Sequence, residues 1–292
     1  MSESSYFMIA SHGWSGSHWL ASALNMHPDI VCCHSALNIP ATKSTWENNK
    51  LQKTTNERDI ARRRRGQVSI DALLSEVESY GCAQAYGNVH TIRVRDLEEL
   101  KAFGPPKRSC LFANLARHPI SVVASGAGQF EDMIFWDIHA LIESSDALRE
   151  IIDIAKAAAE KFGLNLCDAP VRSFIAATQH LTHLARDQKI APSIRTIIME
   201  RVTTEKDYFR NVLDYLTKGR LDITEEYINS VFSIGKLNSH KTKSYLTAEA
   251  LYESWEPWKK YIFNEVAKKY NITELYKPLN YDFSFTKEFS SS

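Results

Sequence analysis

The sequence predicts an α/β protein with a central, mainly parallel sheet flanked by helices. Three observations carry that expectation: short apolar runs that read as buried strands, helical periodicity between them, and a first run that opens onto a glycine-containing loop and a helix. At 292 residues with 44% hydrophobic content, the chain can bury a substantial core. One large domain over residues 1–292 accommodates it, although a chain of this length can also divide in two.

Tyr6 to Ala10 is an unbroken apolar run, and a polar loop with Gly13 and Gly16 follows it. Trp19 to Leu24 then has helical spacing and stops before Pro28, so the stretch reads as strand, tight loop, helix. Glycines let a backbone turn sharply and approach a ligand, and the N–H groups of the helix start, near Ser15 to Trp19, form a preformed site for phosphate or sulfate. The Ser15 and Ser17 hydroxyls and the His18 ring are local donors. The same residues also suit an ordinary strand-to-helix turn in which Ser15 or Ser17 caps the helix. No Lys-Ser or Lys-Thr pair follows Gly16, so the ATPase and GTPase loop pattern is not met.

Asp29 to Cys33 fits a second buried strand. Residues 35–67 are polar and weakly periodic, which predicts a solvated loop or lid; its run Arg62 to Arg65 suits either a wet face or an anion. Val68 to Tyr80 has helical spacing, Ala85 to Val94 reads as a strand with its exit loop, and Asp96 to Leu100 starts a helix. His90 sits at that strand's end, where open parallel sheets collect ligand-facing residues, although a histidine there can equally be satisfied by local hydrogen bonds.

Ser109 to Ala116 is another buried strand and runs into Arg117-His118-Pro119. Pro119 suits the first turn of a helix, and Ser125 falls about two turns in. A guanidinium beside a helix start can fork onto phosphate oxygens, so Arg117 marks a second anion site. Phe130 to Phe162 and Val171 to Lys189 are helical additions at about 130–190, and Ile194 to Met199 is a late strand. Helices are expected at Thr203 to Thr217, Ile223 to Phe232 and, as one long element, Thr247 to Lys269. Gly235 to Lys243 is a basic loop, and the tail beyond Asp282 has no strong pattern and is expected to fray.

Lys plus Arg equals Asp plus Glu, at 35 each, so no global imbalance points to nucleic acid or an anionic membrane and any anion site must be local. The five cysteines form no CxxC pair, which fits buried thiols in a reducing compartment. The amino terminus has no basic leader pattern and no apolar run reaches transmembrane length, so a soluble, cytosolic protein is expected. No HExxH or cysteine–histidine ligand set implies a metal.

The ordered set of a glycine–serine anion loop, a histidine at a later strand end, an Arg–Pro–helix–Ser element and a late Gly-Lys loop resembles the PAPS-dependent sulfotransferase family, whose fold is P-loop-like. The family's 5′-phosphosulfate loop is matched by Gly13-Trp14-Ser15-Gly16-Ser17-His18-Trp19 and its 3′-phosphate element by Arg117 to Ser125, with the family's eight-residue step. The resemblance implies that Trp14 to His18 line the 5′-phosphosulfate, that Trp19 stacks on the adenine, and that Arg117 and Ser125 bind the 3′-phosphate. It further implies that His90 is the catalytic base and that Gly235-Lys236 closes over the nucleotide.

Departures stand beside the matches. The family's loop Lys or Arg is Trp14 here, a hydroxyl is replaced by His18, the basic residue two before the base is Asn88, and the second Arg of the 3′ element is Ile120. Either His18, His12 or a more distant cation replaces the loop charge, or catalysis is impaired. The implied reaction moves the sulfo group of PAPS to a hydroxyl or amine of a small molecule and releases PAP. Gln129 to Asp137, aromatic with Glu131, Asp132 and Asp137, falls where the family lines its acceptor pocket and suits a polar or cationic acceptor, although charge on a helix surface is the commoner explanation of such carboxylates. The rival readings are a small-metabolite kinase using ATP and Mg²⁺ and a non-catalytic nucleotide-binding protein.

Overall fold

The computed structural model describes residues 4–34, 39–40, 70–90, 108–131, 145–234 and 247–289. The chain forms two compact units, Met1–Ala116 with Ile190–Asn238, and Arg117–Lys189 with Ser239–Ser292.

The first unit holds the sheet. Strands β1 (Ser5–Ser11), β2 (Ile30–His34), β3 (Ile39–Pro40), β4 (Ala85–Val89), β5 (Cys110–Ala116) and β6 (Arg195–Ile198) stand in the order β3-β2-β4-β1-β5-β6. Five of them run parallel, and β3 joins the edge antiparallel to β2. The apolar run of β1 is central because it is buried on both faces, as parallel strands covered by helices are. Phe7 and Ile9 pack with α1 (Ser17–Leu24), α8 (Lys206–Thr217) and α9 (Glu225–Ser233), whereas Met8 and Ala10 pack with α2 (Ile70–Glu78). Tyr215 donates its hydroxyl to the Phe112 carbonyl, and Ser5 donates to that of Thr217, which ties α8 to the sheet.

Gly87 of β4 lies opposite Phe7, and a β-carbon there would meet the Phe7 ring at 1.9 Å. Phe7 is fully buried and has no room to turn aside. Gly87→Ala is therefore expected to cost stability near the top of the roughly 1–3 kcal/mol typical of overpacked cores. A urea midpoint equal to that of the unmodified chain contradicts this.

The second unit contains α3 (Pro119–Glu131), α4 (Asp146–Phe162), α5 (Ala169–Thr178), α6 (His180–Ile190), α10 (Ala248–Glu253), α11 (Pro257–Lys269) and α12 (Ile272–Tyr276). Helix α4 is capped by the Ser145 hydroxyl, which accepts from the Leu148 N–H, and ends on Gly163 at φ 65°.

Three expected helices are interrupted. Glu256 precedes Pro257 and is extended, at φ −61° and ψ 153°, because a residue before proline is pushed out of the helical region. Extended Glu205 separates α7 (Met199–Thr204) from α8. At Gln179 the break between α5 and α6 follows Thr178, whose hydroxyl bonds back to the Phe174 carbonyl.

The beginning of the tail is anchored on His118. His118 accepts the Ile120 N–H at Nδ1, contacts the Asp282 carbonyl through Nε2, and packs its ring on Phe283. Phe283 is buried, and Ser284–Phe289 forms a 3₁₀ turn.

Of the strand and exit loop expected over Ala85 to Val94, the strand is Ala85–Val89, and the loop beyond His90, with the helix start expected at Asp96 to Leu100, lies outside the described residues. Within the expected lid, Ile39–Pro40 is strand; its other residues, with Gly235, Lys236 and Asp132 to Asp137, lie outside the described residues. No helix among the described residues is long and apolar enough to cross a membrane.

Candidate functional site

The carboxyl ends of β2, β4 and β1 lie side by side, with His34 and Ile9 both registered on Val89. Side chains that follow these strands are brought to one edge of the sheet, where open parallel sheets place ligands.

After Ser11 the backbone turns through His12 and Gly13 and enters the left-handed region at Trp14, φ 63°, and Gly16, φ 79°. A tryptophan in that region costs about 1–2 kcal/mol, so the surrounding fold holds the loop in place. Gly16 has a second constraint, since a β-carbon there would stand 2.4 Å from the Met199 methyl carbon.

Helix α1 begins immediately after Gly16, with its first backbone bond running from Leu20 N–H to the Gly16 carbonyl. No side chain caps this helix. That removes the capping role for Ser15 and Ser17: the Ser17 hydroxyl lies 3.1 Å from His34 Nε2, and the Ser15 hydroxyl, 1% exposed, has no hydrogen-bond partner among the described residues. Leaving a buried hydroxyl unsatisfied costs about 1–3 kcal/mol. A tetrahedral anion seated at the helix start would supply the missing acceptor, so the donor chemistry of the loop suits a phosphate or sulfate group.

His90 follows β4 with φ 71°, its N–H bonded to the Ile9 carbonyl. Its Nδ1 lies 2.7 Å from Ser11 Oγ and 3.1 Å from the Ser11 carbonyl oxygen. Because a carbonyl only accepts, this pairing assigns a ring proton to Nδ1; in the neutral ring the lone pair is then on Nε2, the arrangement a general base needs.

His34 completes the cluster. Its ring stacks on His90, with centroids 5.8 Å apart and planes 19° apart, and meets His18 edge-on at 5.0 Å. Burial pushes the His18 pKa down to about 4; burial, then the neighbouring His90 and His18, holds His34 well below its ordinary value. Both rings are neutral at pH 7.

The same shift makes stability pH-dependent. The unfolded chain protonates His18 near its ordinary 6.5 and the folded chain only near 4, so the unfolded state binds more protons between those values. Stability is expected to fall as pH drops through that window, by roughly 3 kcal/mol from His18 in total. Denaturant midpoints between pH 7.5 and 4.5 check this, and His18→Gln should flatten the decline.

The expected site residues divide. Ser15, Gly16, Ser17, His18 and His90 come together in the first unit, with Trp14 in the same loop. Trp19 is half-buried and packs edge-on against Phe209, at 6.2 Å. Arg117 follows β5 directly and opens the second unit, where half-buried Ser125 lies on α3. His34 and Ser11 were not expected. The strand-end rule that singles out His90 applies equally to His34, but the predicted second strand stopped one residue short, at Cys33. Among the described residues no group of three or more His, Cys, Asp or Glu is arranged to hold a metal.

No family model matches this chain, and no curated protein is similar to it in sequence. Several solved structures are similar to it, and three of them cover nearly its whole length. Mouse sulfotransferase SULT7A1 complexed with PAP is 11% identical, with 96% of this chain and 89% of that one covered and a TM-score of 0.44. The sulfotransferase domain from the curacin biosynthetic pathway is 14% identical, with coverages of 96% and 99% and a TM-score of 0.41. The sulfotransferase domain from the Synechococcus PCC 7002 olefin synthase is 13% identical, with coverages of 97% and 97% and a TM-score of 0.40.

Proposed function

We propose that this protein is a PAPS-dependent sulfotransferase that moves the sulfo group to a hydroxyl or amine of a small, polar or cationic acceptor and releases PAP. The observation that carries the proposal is the buried, unsatisfied Ser15 hydroxyl in a left-handed loop at the open start of α1, in a unit where Ser11 orients His90. The order of motifs along the chain supports the same reading.

In this reading Trp14 to His18 surround the 5′-phosphosulfate, with the N–H groups of the helix start and the Ser15 and Ser17 hydroxyls directed to its oxygens. The family resemblance assigns Trp19 to the adenine, Arg117 and Ser125 to the 3′-phosphate, and Gly235-Lys236, which lies outside the described residues, to the late nucleotide loop. The acceptor oxygen or nitrogen attacks sulfur in line, the sulfur–oxygen bond to the phosphate breaks, and PAP leaves with the electron pair. His90 Nε2 takes the proton from the acceptor. With Trp14 in the position of the family's loop cation, oriented dipoles carry the charge stabilisation that a fixed charge supplies elsewhere.

A second reading, nucleotide binding without transfer, is favoured by Trp14 and by the neutral His18. Mass spectrometry of a metabolite extract incubated with the protein and PAPS separates the two. The proposal predicts PAP release with a new sulfated product; PAP binding with no sulfated product supports the second reading.

A further inference from the structure

We infer that His34 is a positioning residue for the anion loop: it donates Nε2–H to the Ser17 hydroxyl and so turns that hydroxyl's one proton toward the bound anion. The inference rests on the sulfo-transfer reading and deepens it, adding a residue that no part of the family resemblance assigns.

Geometry and proton counting carry it. His34 ends β2 beside β4, and its Nε2 stands 3.1 Å from the oxygen of Ser17, the first residue of α1, itself only 8% exposed. Two rings fix the imidazole, His90 by stacking and His18 edge-on, and these are the titratable groups that face it among the described residues. A serine hydroxyl has one proton and two lone pairs. Were His34 to accept that proton, Ser17 would present lone pairs to the anion and repel it. The opposite direction makes a relay, ring N–H to hydroxyl oxygen, hydroxyl O–H to anion oxygen, in which each donor polarises the next. A loop with Trp14 in place of a fixed cation depends on such oriented dipoles.

A double-mutant cycle on PAP affinity, read by calorimetry, tests the assignment. His34→Phe keeps a ring and removes the donor, and is expected to weaken PAP about 3–10-fold. His34→Gln, whose side-chain amide can donate to Ser17, should restore affinity to within about twofold. The pair His34→Phe with Ser17→Ala should bind no more weakly than Ser17→Ala alone, because His34 acts through that hydroxyl. A structural role does not give that non-additivity. Unchanged affinity in His34→Phe, or losses that multiply in the double variant, overturn the inference and leave the nucleotide reading intact. Absence of PAP binding by the unmodified chain overturns both. Should His34→Phe not fold, His34→Asn, whose shorter amide falls short of Ser17, takes its place in the same cycle.

Discussion

His90→Ala is expected to abolish sulfo transfer, lowering turnover by about 10²–10⁴-fold, the usual contribution of a positioned general base. The expectation follows from the ring's surroundings. Nδ1 is engaged by Ser11 through both its hydroxyl and its carbonyl oxygen, so in the neutral ring the lone pair lies on Nε2. Removing the ring removes the proton acceptor without touching Ser15 or the start of α1, and it takes away one of the two rings that hold His34 beside Ser17. PAP affinity should therefore fall by no more than the about 3–10-fold expected for loss of the His34 donor, so that most of the loss lies in the chemical step. The check is PAP release from PAPS, with the acceptor identified by mass spectrometry, beside a PAP titration of the same variant. A His90→Ala protein that transfers at the unmodified rate removes His90 from the mechanism.

Arg117→Ala is expected to weaken PAP binding by about 10–100-fold. A guanidinium paired with phosphate makes charge-assisted hydrogen bonds worth about 1.5–3 kcal/mol, and its loss leaves the 3′-phosphate without that partner. The loss should depend on the 3′-phosphate, so adenosine 5′-phosphosulfate, which lacks it, should bind the variant and the unmodified chain alike. Equal weakening of both nucleotides assigns Arg117 to folding of the second unit, and unchanged PAP affinity refutes its role.

Much of the sheet was legible because parallel strands covered on both faces read as continuous apolar runs, as Tyr6 to Ala10 and Ser109 to Ala116 do. Helix ends were harder to read. The break before Pro257 was visible in principle, since proline restricts the residue ahead of it, whereas the break at Glu205 has no comparable local signal. The anion loop was recognisable from glycine and serine, but its distinguishing feature was not: the burial of the Ser15 hydroxyl without a partner is a property of packing. His34 shows the same limit. The strand-end rule reaches His34 once β2 is extended by one residue, but its partners come from the pairing of β2 with β4, which places its ring against His90 and near Ser17. The tail's anchor on His118 is likewise a long-range contact that sequence spacing does not carry.

The central claim is that the loop after β1 holds the 5′ end of a nucleotide that also carries a 3′-phosphate. Parallel calorimetric titrations of the unmodified chain with PAP and with ATP–Mg²⁺ test it most directly. The account predicts saturable binding of PAP and no binding of ATP–Mg²⁺; binding of ATP–Mg²⁺ without PAP, or of neither, contradicts it.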